Sequence, residues 1–239
     1  MTTTQRRPVA VITGASRGLG LALAGGLLAD GYRLIVDARD GDALRAAVAG
    51  LGEPAAITVI AGDIADPAHR AALARAASDL GGADLLVNNA GTLGASPLPA
   101  LADYPVDELR ASFEVNAIAP IALTQLLLPS LRERGGAVLN VTSDAAVEAY
   151  DGWGGYGAAK AALEQASNVL AAEENVVRVW WVDPGDMRTR MHQDAFPGED
   201  ISDRPLPGAV IPALRRLVAE RLPSGRYRAA ELQPAPVRG

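Results

Sequence analysis

The chain has 239 residues, of which 49% are hydrophobic and only 4% aromatic, and a formal net charge of -6. That length can bury one sizeable core, built from Ala, Val, Leu and Ile, and the acidic balance excludes a protein held on polyanions by a basic face, so no nucleic-acid partner is expected. The lack of cysteine excludes disulfides and thiolate metal sites and fits a reducing cytoplasm, while no apolar run approaches the ~20 residues that span a bilayer, so no membrane partner is expected either.

Arg6 and Arg7 precede a small-residue apolar stretch in the manner of a twin-arginine leader, but Arg17 and a Gly-rich turn interrupt it, and the same residues are needed for the first structural unit. Val9 to Thr13 (VAVIT) is a short continuous apolar run. Gly14, Ala15, Ser16, Arg17, Gly18, Leu19 and Gly20 follow, then a helical pattern from Leu21 to Ala29 that Gly31 ends. Strand, glycine turn and helix open a dinucleotide-binding βαβ unit. Glycine is required there because a pyrophosphate must approach the backbone closely and sit on the exposed amides of a helix N-terminus.

Similar runs recur at 33–36, 56–61, 85–87, 137–141 and 176–182, and none alternates as a half-exposed strand does, so both faces should be covered. Helical patterns lie between them near 41–50, 66–81, 104–134, 155–174 and 207–221. This alternation predicts an α/β fold, a doubly wound parallel sheet with helices on both faces. We expect a single domain over 1–239 with flexible ends at 1–7 and about 231–239. Ligands of such folds bind at the carboxyl ends of the strands, where the polar residues collect. Asp63 follows the third strand, Asn88, Asn89, Ala90 and Gly91 the fourth, Thr142 and Ser143 the fifth, and Pro184, Gly185 and Thr189 the sixth.

Lys160 is the only lysine of the chain. Tyr156 stands four residues before it, so a helix puts the two one turn apart on one face, with a cation beside a phenol. That pairing favours the phenolate and lowers the phenol's pKa toward a value useful for proton transfer at neutral pH.

With the glycine motif, the Asn-Asn-Ala-Gly run, Ser143, the Tyr-x-x-x-Lys pair and the Pro-Gly turn in this order, the chain resembles the short-chain dehydrogenase/reductase family over roughly residues 8 to 230. The resemblance implies a Rossmann-type sheet, a nicotinamide cofactor and a catalytic tetrad of Asn116, Ser143, Tyr156 and Lys160. Tyr156 would exchange a proton with the oxygen of a small-molecule carbonyl or alcohol substrate, and Ser143 would hold that oxygen. Lys160 would act on the phenol and hold the nicotinamide ribose, and Asn116 would break its helix locally and hold a water on a relay to Lys160. By the same likeness Gly14, Ser16, Gly18 and Gly20, with Leu19 in the same turn, would line the pyrophosphate. Asp63, beside Ile64, would receive the adenine amine, and Asn89, Ala90 and Gly91 would lie against the adenosine ribose. Pro184, Gly185, the main chain around Met187 and Thr189 would hold the carboxamide. Asp63 could instead cap the helix that begins near Asp66 and Pro67.

The tip of the second strand offers both signs of charge, Asp37 and Arg39. The family's spacing from Gly14 puts Ala38 at the usual acid position and Arg39 next to it, and Arg17 adds a second guanidinium on the same side. NADP(H) is therefore favoured, with NAD(H) the alternative if Asp37 takes the ribose hydroxyls. Residues 186–208 look like a substrate loop; Trp153, Phe196, Met187 and Leu93 suggest a partly apolar pocket, and Asp144 a possible acidic wall. His192 reads as a pocket-lining or surface residue, because Tyr156 fills the acid/base role. A homodimer or homotetramer joined through 104–134 and 155–174 is expected, helped by a small-residue face at Ala161, Ala162, Ala166 and Leu170. The polar tail from Arg226 to Gly239 bears, on this reading, on the oligomeric form rather than on the chemistry. The other reading is a cofactor-binding regulatory or scaffold protein without turnover.

Overall fold

A computed structural model describes residues 6–232. Seven strands, β1 (Val9–Ile12), β2 (Arg33–Ala38), β3 (Ile57–Ala61), β4 (Leu85–Asn88), β5 (Ala137–Val141), β6 (Arg178–Asp183) and β7 (Gly225–Arg228), form one sheet in the order β3-β2-β1-β4-β5-β6-β7. Every neighbouring pair is parallel. The helices are α1 (Gly18–Ala29), α2 (Gly41–Ala49), α3 (Pro67–Asp79), α4 (Val106–Phe113), α5 (Ala119–Arg134), α6 (Gly154–Glu173), α7 (Arg190–Ala195), α8 (Ile211–Ala219) and α9 (Ala229–Leu232).

Unbroken apolar strands follow from two buried faces. Ala10, Ile12, Leu34, Val36 and Trp180 turn to one side, against Leu23 and Leu27 of α1 and Leu214 and Leu217 of α8. Their neighbours Val9, Val11, Ile35 and Val179 turn to the other, against Leu73 of α3 and Leu123, Leu127 and Leu131 of α5. Side chains of successive strand residues point to opposite faces, so a strand covered on both sides needs apolar residues throughout.

Three elements were not anticipated. The seventh strand is Gly-Arg-Tyr-Arg, too short and too charged to read as a buried run, yet it pairs in register with β6, Trp181 opposite Arg226. The short helix α7 follows a loop, and α9 begins directly at the end of β7. At the N-terminal end Arg6 donates to the Leu80 carbonyl and pairs with Asp84, and Arg7 donates to the Gly31 carbonyl. The rest of the stretches expected to be flexible, 1–5 and 233–239, lies outside the described residues.

The expected helix at 104–134 is interrupted. Between α4 and α5 the chain makes a wider π turn over Glu114–Ile118. Pro120 explains it locally: proline has no N–H to give to the carbonyl four residues back, which is that of Asn116. By length and composition the whole stretch Val106–Arg134 could cross a membrane. In this fold it is a core helix, with Leu123, Leu127 and Leu131 buried against the sheet.

The strand order reverses between β1 and β4, and the crevice at their carboxyl ends is the place where such sheets take ligands. A cavity of about 1850 Å³ opens there, running from Arg17 and Arg39 past the glycine turn to Tyr156 and Phe196.

Candidate active site

At one end of the cavity is the turn between β1 and α1. Gly14 has φ +69°, and a Cβ on it would lie 2.9 Å from the Ala90 Cα; a Cβ on Gly20 would lie 2.4 Å from the Gly14 carbonyl oxygen. Only glycine fits at either place. The turn is clamped to the β4 loop, because Asn89 Nδ2 donates to the carbonyls of Thr13 (2.8 Å) and Gly14 (3.1 Å). Thr13 Oγ1 accepts from the amides of both Asn89 and Ala90, each at 3.0 Å. Asn89, expected at the ribose, thus spends its amide on the turn; Thr13 was not singled out in the sequence. Leu19 and Ile64 pack into the two cores and also line the cavity. The first amides of α1 have no partner within the helix, and Arg17 at its N-cap supplies none, which leaves a positive rim suited to a pyrophosphate.

At the tip of β2 the two charges of Asp37 and Arg39 are placed differently. Asp37 is 2% exposed. Its Oδ1 accepts from the Gly14 amide at 2.7 Å and its Oδ2 meets His69 Nε2 at 2.9 Å, so both oxygens are committed beneath the turn. Arg39 and Arg17 are exposed on the cavity wall, and their guanidiniums hold no hydrogen bond or ion pair among the described residues. Asp63 lines the cavity and accepts from the Ala65 amide at 2.9 Å, whereas Asp66 caps α3 through the Ala68 amide. The helix cap is therefore Asp66, not Asp63.

At the other end are the four residues of the expected tetrad. Asn116 sits in the π turn, wholly buried; its amide nitrogen donates to the Thr92 carbonyl (2.7 Å) and its oxygen accepts from the Thr92 amide (3.1 Å). A Cβ on Gly91 would fall 3.0 Å from that oxygen and 3.8 Å from Lys160 Nζ, so Gly91 keeps open the space between them. Tyr156 and Lys160 share the inner face of α6, with the ammonium 5.6 Å from the phenol ring centroid. Lys160 Nζ donates to the Val141 carbonyl at 2.9 Å. Burial lowers its pKa to about 8.

The phenol behaves differently from expectation. Burial raises the Tyr156 pKa well above its ordinary value; the Ser143 hydroxyl pulls it back, while the charges of Asp144 and Asp183 push it further up. Desolvation of the phenolate is the largest of these effects. Ser143 does make the local turn bonds expected of a strand-end hydroxyl, donating to Asp144 Oδ1 at 2.9 Å and accepting from the Ala145 amide at 3.2 Å. It also stands beside Tyr156 on the cavity wall.

The seventh strand reaches this site. Arg226 Nη2 donates to the Ser143 carbonyl at 3.2 Å and its Nε bridges to Glu164, which in turn accepts from Thr142 Oγ1 at 2.8 Å. Arg226, read in the sequence as part of a polar tail bearing on the oligomeric form, therefore braces the Ser143 segment.

Trp153, Phe196, Leu93 and Met191 line the substrate side, with the Trp153 ring edge-on to Tyr156 at 5.7 Å and tilted against Phe196 at 5.9 Å. Met187 lies against the sheet core, and Thr189 caps α7 through the His192 amide. Pro184 and Gly185 line the cavity where Asp183 Oδ1 accepts from the Gly185 amide. His192 stacks on Phe196 at 4.9 Å and lies 3.7 Å from Asp186, on the cavity wall as expected.

Comparison with known proteins agrees with this geometry. The short chain dehydrogenase family model matches residues 8–200. The chain is 35% identical to the rhamnolipids biosynthesis 3-oxoacyl-[acyl-carrier-protein] reductase of Pseudomonas aeruginosa, over 77% of this chain and 74% of that one. It is 31% identical to the D-beta-hydroxybutyrate dehydrogenase of Cupriavidus necator, over 91% and 84%. A short chain dehydrogenase from Shigella flexneri, solved in complex with NADP, superimposes with a TM-score of 0.86 at 26% identity, covering 93% of this chain and 97% of that one. The chain belongs to the short-chain dehydrogenase/reductase family. Its reaction class is NAD(P)-dependent oxidoreduction of a small molecule.

Proposed function

We propose that the protein reduces a ketone or aldehyde, or oxidises the corresponding alcohol, with Tyr156 as the general acid and base and NADP(H) as the preferred cofactor. The observation that carries this reading is the meeting of Ser143, Tyr156 and Lys160 on one cavity wall, continuous with the glycine turn. A nicotinamide cofactor supplies or takes the hydride when bound. Tyr156 gives its proton to the carbonyl oxygen in reduction and receives it back in oxidation. Ser143 donates a hydrogen bond to the same oxygen as charge develops on it. Lys160, with its ammonium beside the phenol, offsets the cost of the phenolate and holds the ribose. Asn116, fixed to the Thr92 segment, keeps that loop clear of Lys160 and holds the relay water.

Support for NADP(H) comes from charge. Arg39 and Arg17 line the cavity with uncommitted guanidiniums suited to a 2'-phosphate, whereas Asp37 is buried, with each of its oxygens already accepting one hydrogen bond beneath the turn. The remaining contacts of this reading are Gly14, Ser16, Gly18 and Gly20 at the pyrophosphate, Asp63 at the adenine, Asn89, Ala90 and Gly91 beside the adenosine ribose, and the 184–189 segment at the carboxamide. A cytoplasmic setting fits the cysteine-free chain. A homodimer or homotetramer is also part of it, supported by exposed Ile118 and Leu126 on the helices at 104–134 and exposed Val169 on α6. Light scattering at micromolar concentration tests this, and a monomer contradicts it.

The direct test is a panel of carbonyls and alcohols followed by nicotinamide absorbance. Turnover with an apolar ketone supports the reading, and cofactor binding without turnover on any substrate supports the regulatory alternative.

A further inference from the structure

Ser143 stands just past the point where the sheet stops holding its strand. The Thr142 amide gives a last ladder bond to the Val182 carbonyl at 2.9 Å, and beyond it the chain bends into the single 3₁₀ turn Asp144–Ala146. What fixes the segment there is one face of α6. Tyr156, Lys160 and Glu164 follow one another at helical intervals, so they lie in a row along that helix. The last two grip the end of β5: Lys160 Nζ donates to the Val141 carbonyl at 2.9 Å, and Glu164 Oε1 accepts from Thr142 Oγ1 at 2.8 Å. The third hold comes from β7. Arg226 Nε lies 3.0 and 3.1 Å from the two Glu164 oxygens, and its Nη2 donates to the Ser143 carbonyl at 3.2 Å. Val141, Thr142 and Ser143 are thereby tied, residue by residue, to the helix that carries Tyr156.

We propose that Arg226, held on Glu164, is a positioning residue of the reaction: by anchoring the Ser143 carbonyl to α6 it sets the distance between the Ser143 hydroxyl and the Tyr156 phenol. The inference rests on the roles given to Ser143 and Tyr156 above. Glu164 and Arg226 stand behind the cavity wall that Thr142 and Ser143 form, so they act through that segment and not on the substrate. Their side chains are 11% and 24% exposed. A pair so far out of water is little screened by salt and costly to break, which makes the anchor stiff. Stiffness matters because a hydrogen bond weakens steeply with angle and length, and two groups must reach one substrate oxygen together. A Ser143 backbone free to drift by about an ångström would carry the hydroxyl out of reach while Tyr156 stayed where α6 puts it.

The test couples Arg226 to Ser143. Arg226→Met alone would strand the Glu164 carboxylate, so it is made together with Glu164→Gln, whose amide oxygen can still accept from Thr142. Arg226→Lys keeps a charge beside Glu164 but has one nitrogen where arginine uses two. Each change is made in the parent and in Ser143→Ala. The readouts are kcat and KM for the ketone that turns over fastest in the panel, cofactor affinity, urea unfolding and amide exchange.

In the parent, Glu164→Gln with Arg226→Met should lower kcat by roughly ten- to a hundredfold, with KM and cofactor affinity held within about threefold. In the Ser143→Ala background the same change should cost less than about threefold, because the group it positions is gone. Arg226→Lys should recover the unfolding midpoint but not kcat. Amide exchange, which needs no substrate, should speed up roughly tenfold at 143–147 and stay unchanged at 137–141. Equal losses of kcat in both backgrounds, a kcat that returns with stability in Arg226→Lys, or unaltered exchange at 143–147 overturns the role of Arg226. A Ser143→Ala enzyme that keeps the parent's kcat overturns the assignment of Ser143 itself, so the two failures are told apart.

Discussion

His69 Nε2 lies 2.9 Å from Asp37 Oδ2, and the other oxygen of that carboxylate accepts the amide of Gly14, so a histidine of α3 reaches through a buried acid to the turn that would carry the pyrophosphate. Both side chains are almost wholly out of solvent, at 6% and 2% exposed. Asp37→Ala would leave the Gly14 amide and the imidazole without their partner. We expect a loss of stability of about 2 to 6 kcal/mol, since each of these two buried polar groups left unsatisfied costs roughly 1 to 3 kcal/mol. NAD(H) and NADP(H) should weaken together. Urea unfolding and cofactor titration check this; an NAD(H) preference in the unmodified protein that disappears in the variant would show that Asp37 binds the ribose after all.

Arg39→Ala should weaken NADP(H) by about 1.5 to 3 kcal/mol, the worth of one charge-assisted hydrogen bond, and leave NAD(H) nearly unchanged. Calorimetric titration of both cofactors measures the difference. Equal kcat/KM for the two cofactors in the unmodified enzyme would count against the assignment.

Tyr156→Phe should abolish turnover while cofactor affinity stays close to that of the parent, because the ring still meets Trp153 edge-on but carries no proton to move. Lys160→Met should lower both turnover and cofactor affinity. Steady-state kinetics beside cofactor titration separates the two, and a Tyr156→Phe enzyme with most of its kcat would remove the tyrosine from the mechanism.

Lys160 also leaves a mark on stability. Burial holds its native pKa at about 8, against an ordinary 10.5. Between those values the native lysine has shed a proton that the unfolded chain still binds, so unfolding takes up a proton and stability rises with pH through that window. Below about 8 the native state carries the full cost of a buried ammonium. Relative to Lys160→Met, the wild type should gain on the order of 3 kcal/mol from pH 8 to 10.5. Denaturant unfolding of both proteins across this range provides the check, and a flat difference contradicts it.

The sequence by itself determined the sheet and which polar residues stand at its carboxyl ends. Strands buried on both faces need unbroken apolar runs, and a turn where a Cβ would strike backbone needs glycine, so Val9–Ile12, Gly14 and Gly20 announce themselves. Tyr156 and Lys160 were legible because helical spacing fixes their shared face. The tertiary structure decided what depends on partners distant in the chain. Asp37 is open in the sequence as an alternative ribose ligand, and only the fold brings His69, from another helix, and the Gly14 turn against its two oxygens. Arg226 reads as tail polarity until β7 pairs with β6 and brings it to the Ser143 carbonyl. The protonation of Tyr156 went the same way: spacing supplies the nearby ammonium, but the cost of burying a phenolate and the charges of Asp144 and Asp183 exist only once the chain is packed.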